Sequence, residues 1–233
     1  MSYAILLFMK NPSFPMRINQ YLAWQKYATR RGGDKLVEDG QVLINGKLAK
    51  LGDKVQESDK VEVLKNKKQK PYLYFAYYKP KGISTEEISS PKKETFPLGR
   101  LDKASSGLII FTNDGRVTDR LLNPEYDHEK EYLVKTAEKL RSSFKKNMEA
   151  GVEIEEYTTK KCRIEILNDF TFKITLTEGK KHQIRRMCSA LFQQVRDLKR
   201  IRITSIGLQD LTPDTYRPIK GEELKTFLKN LGL

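Results

Sequence analysis

Apolar positions near the start of the chain repeat first at helical and then at strand spacing, and the switch outlines a small module. Ile18, Tyr21 and Leu22 recur every three to four residues, which predicts a short amphipathic helix over residues 17–27. Thr29 is placed to cap a second helix that runs through Leu36 and Val37 to about Asp39, and Gly40 ends it. Residues 41–44 then read as a strand. Asn45-Gly46 is a dipeptide that closes a two-residue hairpin. Val55, Val61 and Val63 supply further strand pieces, so residues 16–64 are expected to form one module with two helices ahead of its strands. Periodicity begins at Met16. Residues 1–15 stand apart as an N-terminal extension. Their apolar run, Ala4 to Met9, has no basic stretch ahead of it and no small-residue cleavage site after it, so a secretory signal is not expected.

The pattern lapses at KNKKQKP, residues 65–71, which reads as a charged linker. A larger domain is expected over residues 72–233. Its first segment, 72–78, is aromatic and strand-like. Further strands are predicted at 107–112, 131–136, 162–167 and 170–177. Helices are predicted at 117–122, at 141–150 with Gly151 as a C-cap, at 183–191 with one apolar face, and at 222–231. Strands and helices mix without strict alternation, which predicts an α+β domain with a mixed, mainly antiparallel sheet rather than a doubly wound fold.

Charge narrows the partner. Lys and Arg number 44 against 30 Asp and Glu, a net +14, which suits a polyanion such as nucleic acid or an anionic membrane surface. Residues 16–70 hold thirteen Lys and Arg against seven Asp and Glu. Arg17, Lys26, Arg30, Arg31 and Lys35 crowd around the two helices, and Asn45 sits at the hairpin tip. The turn capped by Thr29 presents free N–H groups and the positive end of a helix dipole, a ready phosphate site. A solvated basic face is the plain alternative, but here cap, charge and turn coincide. Between Lys180 and Arg202 a second run has eight Lys and Arg against one Asp, and Arg196, Lys199, Arg200 and Arg202 extend it as a basic surface. No amphipathic helix with a large apolar face adjoins either run, which disfavours a membrane surface. No stretch is long and apolar enough to span a bilayer. Two cysteines, Cys162 and Cys188, and two histidines, His128 and His182, are too scattered for a disulfide framework or a metal site. A reducing compartment, the cytoplasm, and chemistry without a metal are expected.

FPLGRLDKASSGLIIFTNDG is the most informative stretch. Leu108 to Phe111 reads as a buried strand entered through a tight Ser-Ser-Gly turn. Asp102 lies just upstream, between Arg100 and Lys103, and flanking cations favour its ionised form. Such a carboxylate can be a nucleophile, a base or a member of an ion pair. By spacing alone it is an ordinary turn aspartate.

Several ordered motifs point further. MRINQYLAWQKYATRR and EDGQVLINGKLAKLGDKV resemble the opening helices and hairpin of the S4 RNA-binding domain. GRLDKASSGLIIFTNDG resembles the central motif of pseudouridine synthases of the RsuA/RluF branch. YKPKGISTEE, DHEKEYLVKT and EGKKHQIRRMCSAL resemble that family's flanking motifs, in order and at the expected intervals. The resemblance implies that Asp102 is the catalytic residue, that Tyr132 stacks on a flipped uracil, and that Arg185 pairs with Asp102. Arg100, Lys103, Lys181, His182 and Arg186 lie on the same motifs and are implied substrate contacts. Arg17, Thr29, Arg30, Arg31, Lys35 and Asn45 are the implied RNA contacts of the small module. Read by themselves, Tyr132 is a half-buried strand residue, Arg185 one of several helical arginines, and His182 a hydrogen-bonding residue. One departure is Gly32-Gly33, where the family has helix formers. Each glycine weakens a helix interior by roughly 1 kcal/mol, so a frayed start to that helix is expected.

The implied activity is isomerisation of a uridine to pseudouridine in ribosomal RNA, that of the large subunit by the likeness of DHEKEYLVKT and TTKKCRIEI to the RluF type. It needs no cofactor, and a monomer is expected. The alternatives are the same reaction on small-subunit RNA or tRNA, and a non-catalytic RNA-binding or ribosome-assembly protein using the S4-like module alone. The last would be expected to lose Asp102, Tyr132 or Arg185, and all three are present.

Overall fold

The computed structural model describes residues 13–25, 27–64, 71–155 and 157–233. The expected extension up to residue 12, the charged linker over 65–70 and Lys26 lie outside these. The chain divides into two units, with the break after residue 70.

In the first unit, β1 (Met16–Arg17) leads directly into α1 (Ile18–Trp24), followed by α2 (Arg30–Glu38), β2 (Val42–Ile44), β3 (Lys47–Leu48), β4 (Lys54–Val55) and β5 (Val61–Val63). β2 is the centre of a three-stranded antiparallel sheet between β3 and β5, and β1 pairs with β4. Ile18, Leu22, Val37, Val42, Ala49 and Val55 form the core. The Thr29 hydroxyl accepts from the Gly32 amide at 3.1 Å, capping α2 as its position foretells. Asn45 (φ 51°) and Gly46 (φ 77°) form the hairpin turn. α1 ends three residues earlier than its periodicity suggests: Tyr27 is half exposed and its amide folds back on the Leu22 carbonyl.

The two glycines do not fray α2, which runs unbroken from Arg30. Gly33 is buried in the crossing of the helices. A Cβ there would stand 3.2 Å from both Cα and O of Asn19 on α1. The glycine that weakens the isolated helix is what lets the pair pack closely.

The second unit contains β6 (Tyr74–Lys79), β7 (Phe96–Pro97), β8 (Ser106–Thr112), α3 (Arg116–Leu122), β9 (Lys130–Thr136), α4 (Phe144–Ala150), β10 (Glu153–Ile154), β11 (Tyr157–Thr158), β12 (Arg163–Asn168), β13 (Thr171–Leu176), α5 (Gln183–Ala190), β14 (Val195–Ile203), β15 (Ile206–Gly207), β16 (Tyr216–Pro218) and α6 (Gly221–Asn230). Its main sheet runs β12-β13-β9-β14-β8-β6-β16, with β7 on β8 and β15 on β14. Among the described residues only the β14–β8 pairing is parallel, so the domain is α+β with a mixed, mainly antiparallel sheet.

β6 and β8 are buried along their whole length. Alternate residues serve different cores. Phe75, Tyr77, Ile109 and Phe111 join α4 and α5, whereas Tyr74, Ala76, Leu108 and Ile110 join α3 and α6. That is why both strands read as continuous apolar runs. β14 is the longest strand, although four of its nine residues are Lys or Arg.

Candidate active site

Asp102 lies in the loop between β7 and β8, and its neighbours are pinned on both sides. The Thr85 hydroxyl donates to the Leu101 carbonyl at 3.1 Å and accepts from the Leu101 amide at 3.0 Å. The Ser105 amide closes a turn on the Asp102 carbonyl at 3.0 Å, and the Gly82 amide bonds the Lys103 carbonyl at 2.8 Å. Gly82 belongs to the YKPKGIS loop, which Lys79 organises. This lysine is fully buried, with its ammonium on the carbonyls of Pro80 and Ile83 at 2.8 and 2.7 Å. Burial lowers the Lys79 pKa, and the charges of Asp102 and Glu87 work against that shift. The Asp102 side chain is one-third exposed, so it is held in place yet reachable.

The carboxylate opens on a cavity of about 270 Å³. Leu98, Leu121, Leu198 and Ile203 give it apolar walls, and Asp102, Lys130, Tyr132, His182 and Arg200 are among the polar residues that line it. Tyr132, on β9, is directly opposite Arg200 on β14. Strand alternation sets Lys130 on the same face of β9 as Tyr132, and Leu198 on the same face of β14 as Arg200.

A second loop, 177–182, closes the other side. Glu178 is buried and accepts from the Lys160 amide at 2.9 Å and from Gln183 Nε2 at 2.6 Å. Gln183 Oε1 in turn accepts from the Lys180 amide at 3.0 Å. This frame holds His182 in a left-handed conformation (φ 54°), with Nε2 3.4 Å from Asp102 Oδ1. The contact is an ion pair only when the imidazole is protonated.

The other expected contacts divide. Arg185 reaches the Asp102 loop but not the carboxylate. Its guanidinium donates to the carbonyl of Ala104 at 3.0 Å, to that of Val195 at 3.2 Å and to Ser105 Oγ at 3.4 Å. The expected Arg185–Asp102 pair is therefore replaced by a brace between α5, the turn after Asp102 and the start of β14. Arg100 and Lys103 point to Glu86 and Glu87, at 3.5 and 4.0 Å on largely exposed side chains. Arg186 pairs with Glu155 at 2.6 Å and lies over the Tyr157 ring. Lys181 is exposed on the outer side of the Asp102 loop. In the first unit Arg17, Arg30, Arg31 and Lys35 are exposed around the start of α1 and along α2. The Asn45 amide is taken up by the turn itself. It donates to Asp59 at 2.8 Å and accepts from the Lys60 amide at 2.9 Å, so Asn45 is a turn residue.

Two further corrections concern the basic run after α5. Arg200 is 4% exposed and faces the cavity, and Arg202 is paired with Glu129 and Glu131, each at 3.0 Å. Neither belongs to an open basic surface. Sequence reasoning also missed Lys130, whose pKa is lowered first by burial and then by the charge of Arg200. The signal for both was present as period-2 spacing, Lys130-x-Tyr132 and Leu198-x-Arg200.

Comparison with known proteins identifies the family. A family model described as RNA pseudouridylate synthase matches residues 73–190, and the S4 domain model matches residues 16–61. The dual-specificity RNA pseudouridine synthase RluF of Escherichia coli (strain K12) is 36% identical over 232 residues, covering 94% of this chain and 80% of that protein. The ribosomal large subunit pseudouridine synthase B of Bacillus subtilis (strain 168) is 30% identical, covering 90% of this chain and 94% of that one. A crystal structure of a pseudouridylate synthase superposes with a TM-score of 0.67 at 26% identity, covering 93% of this chain and 99% of that one. An S4 domain followed by a catalytic unit of this sheet order, matched along nearly the whole chain, makes this protein a member of the RNA pseudouridine synthase family.

Proposed function

We propose that the enzyme isomerises a uridine of large-subunit ribosomal RNA, with Asp102 as the nucleophile. The observation that carries the assignment of Asp102 is its position: fixed by backbone bonds on both sides, at the mouth of a cavity walled by Tyr132 and aliphatic side chains. A flat base that has left its stack fits such walls, with one face on the Tyr132 ring. The N1–C1′ bond breaks and a C5–C1′ bond forms. C5 loses its proton and N1 gains one, so the reaction is redox-neutral, involves no net hydrolysis and requires no cofactor. As nucleophile Asp102 attacks C1′ or the base, the alternative role being a general base at the C2′ proton, and the Tyr132 hydroxyl serves proton transfer at C5. Arg185 is a positioning residue that holds the turn carrying Asp102.

The large-subunit target follows the name of the Bacillus subtilis relative. On the S4 unit, the capped start of α2 with Arg30 and Arg31, flanked by Arg17 and Lys35, would take RNA phosphates. A ribosomal RNA substrate supports a cytoplasmic location. Among the described residues no helix is long and apolar enough to cross a membrane, and no His, Cys, Asp and Glu cluster could hold a metal.

The test is a pseudouridine map of both ribosomal RNAs and of tRNA in cells with the protein, without it, and with Asp102→Asn. The expected result is a large-subunit site that disappears without the protein, returns with the unsubstituted chain and does not return with D102N, while RNA binding by D102N stays within a few fold. A loss confined to small-subunit RNA or tRNA would move the target. Turnover by D102N would remove Asp102 as nucleophile.

A further inference from the structure

Arg200 is the most conspicuous group in the cavity that the reaction outlined above leaves unused. It is buried, with 4% of its surface exposed. Nε donates to the Leu108 carbonyl at 2.7 Å, which fixes the plane of the guanidinium. Nη2 is shut off from solvent without a hydrogen-bond partner, whereas Nη1 keeps access to the cavity and likewise has no partner among the described residues. A buried charged donor left unmatched is destabilising, and native structures retain few of them without a use. Lys130 lines the same cavity, and its ammonium has one long hydrogen bond, 3.4 Å to the His128 carbonyl. Neither cation lies within ion-pair distance of a carboxylate among the described residues. Glu178, the nearby acid on the wall, is already engaged by Lys160 and Gln183.

We propose that Arg200, with Lys130 beside it, donates hydrogen bonds to the uracil carbonyl oxygens, fixing the base and taking up the negative charge it acquires when the N1–C1′ bond breaks. The inference rests on the reaction proposed above. When that bond breaks heterolytically its electron pair leaves with the uracil and spreads over the ring nitrogens, O2 and O4. The pair returns to C1′ when C5 forms the new bond. Fixed donors in a dry cavity stabilise such charge strongly. The choice of a carbonyl over a phosphate follows from position. Arg200 is the cross-strand neighbour of Tyr132, so a base lying on the Tyr132 ring presents its edge to the guanidinium. Leu98, Leu121, Leu198 and Ile203 lay apolar surface along the same cavity, which suits the faces of a base.

The experiment pairs a side-chain change with an atom change in the substrate. Large-subunit rRNA transcripts are made with UTP, 2-thio-UTP or 4-thio-UTP, sulfur being the weaker acceptor. Single-turnover isomerisation at saturating enzyme is followed by digestion to nucleosides and mass spectrometry, for the full-length chain and for Arg200→Gln and Lys130→Gln. The unsubstituted chain should be slower on at least one thio transcript. R200Q should be slowed on the order of 10²–10³-fold on the UTP transcript, as when one oxyanion donor is lost. It should bind RNA within threefold of the unsubstituted chain and no longer distinguish oxygen from sulfur at that position. If R200Q does not fold, the same ratio for K130Q, on a partly exposed side chain, decides. Two results overturn the inference: discrimination as large in the variants as in the unsubstituted chain, or weakened binding with an unchanged saturated rate, which reads a phosphate contact. No isomerisation by the unsubstituted chain on the UTP transcript would remove the proposed reaction itself. Turnover with unchanged discrimination removes only the role of Arg200.

Discussion

Asp114, in the NDG that follows β8, shows how a single buried charge is made tolerable. Its side chain is fully buried and accepts from Arg116 Nε at 2.9 Å, from Arg116 Nη2 at 2.7 Å and from the Tyr74 hydroxyl. Burial pushes its pKa up, but the bonds from Arg116 and Tyr74 outweigh that and hold it below the ordinary 3.8. A group with a depressed native pKa stabilises the fold above its unfolded pKa and loses that contribution as pH falls through the native value. Asp114→Asn should lower stability at pH 7 by about 2 kcal/mol, roughly 4–8 °C in Tm. The effect is modest because the Arg116 side chain is 44% exposed and can rehydrate. Thermal unfolding of both proteins across pH should show a gap that is full at pH 7 and narrows below 3.8. A gap that stays constant into acid would mean Asp114 gains nothing from its charge. At this scale legibility in the sequence was uneven. Asp102 stood out only through its motif, because a turn aspartate between cations has no distinctive spacing. The Ala104 and Val195 carbonyls that hold Arg185 depend on the path of two loops, which no local pattern encodes.

The elements were more readable than the contacts between them. β8, β9, β12 and β13 begin and end within one residue of their apolar runs, because burial and strand pairing act on the same residues. β14 was hidden because its cations look like a surface, while one of them points into the cavity. The close approach of β8 to β14 explains the Gly of Ser-Ser-Gly. Gly107 has φ 111° and faces Arg200 in the parallel pair; an added Cβ would overlap the Arg200 carbonyl oxygen and come within 2.7 Å of its nitrogen. Backbone on both sides leaves nothing flexible to yield. Gly107→Ala should therefore cost about 3 kcal/mol or more, from the positive φ and the displaced strand together. A fall of roughly 6–12 °C in the Tm of the full chain, or loss of soluble protein, is the expected reading. A Tm unchanged from that of the unsubstituted chain would show that β14 can move away freely.

At the scale of the whole molecule, the sheet order could not be read from the chain. β14 sits between β9 and β8, two partners distant in sequence, and the pairing with β8 is parallel. Charge placement was readable in part. The unit before the break holds thirteen Lys and Arg against seven Asp and Glu from Met16 onward, and α2 exposes Arg30 and Arg31 beside its capped start. The later basic run is less available than its composition suggests, with Arg200 buried and Arg202 paired. The S4 unit should then carry a disproportionate share of the salt-sensitive binding. Arg30→Ala with Arg31→Ala should weaken rRNA binding and flatten the slope of log K against log salt by about two units, since each phosphate a cation neutralises adds roughly 0.9 to that slope. The single-turnover rate at saturating enzyme should stay within a few fold, because neither arginine lines the cavity that holds Asp102. Binding isotherms across a salt series, read beside that rate, separate capture of the RNA from chemistry on the base. An unchanged slope would place the main phosphate contacts on the catalytic unit, with Lys181 and the exposed Arg100 and Lys103 the next cations to remove.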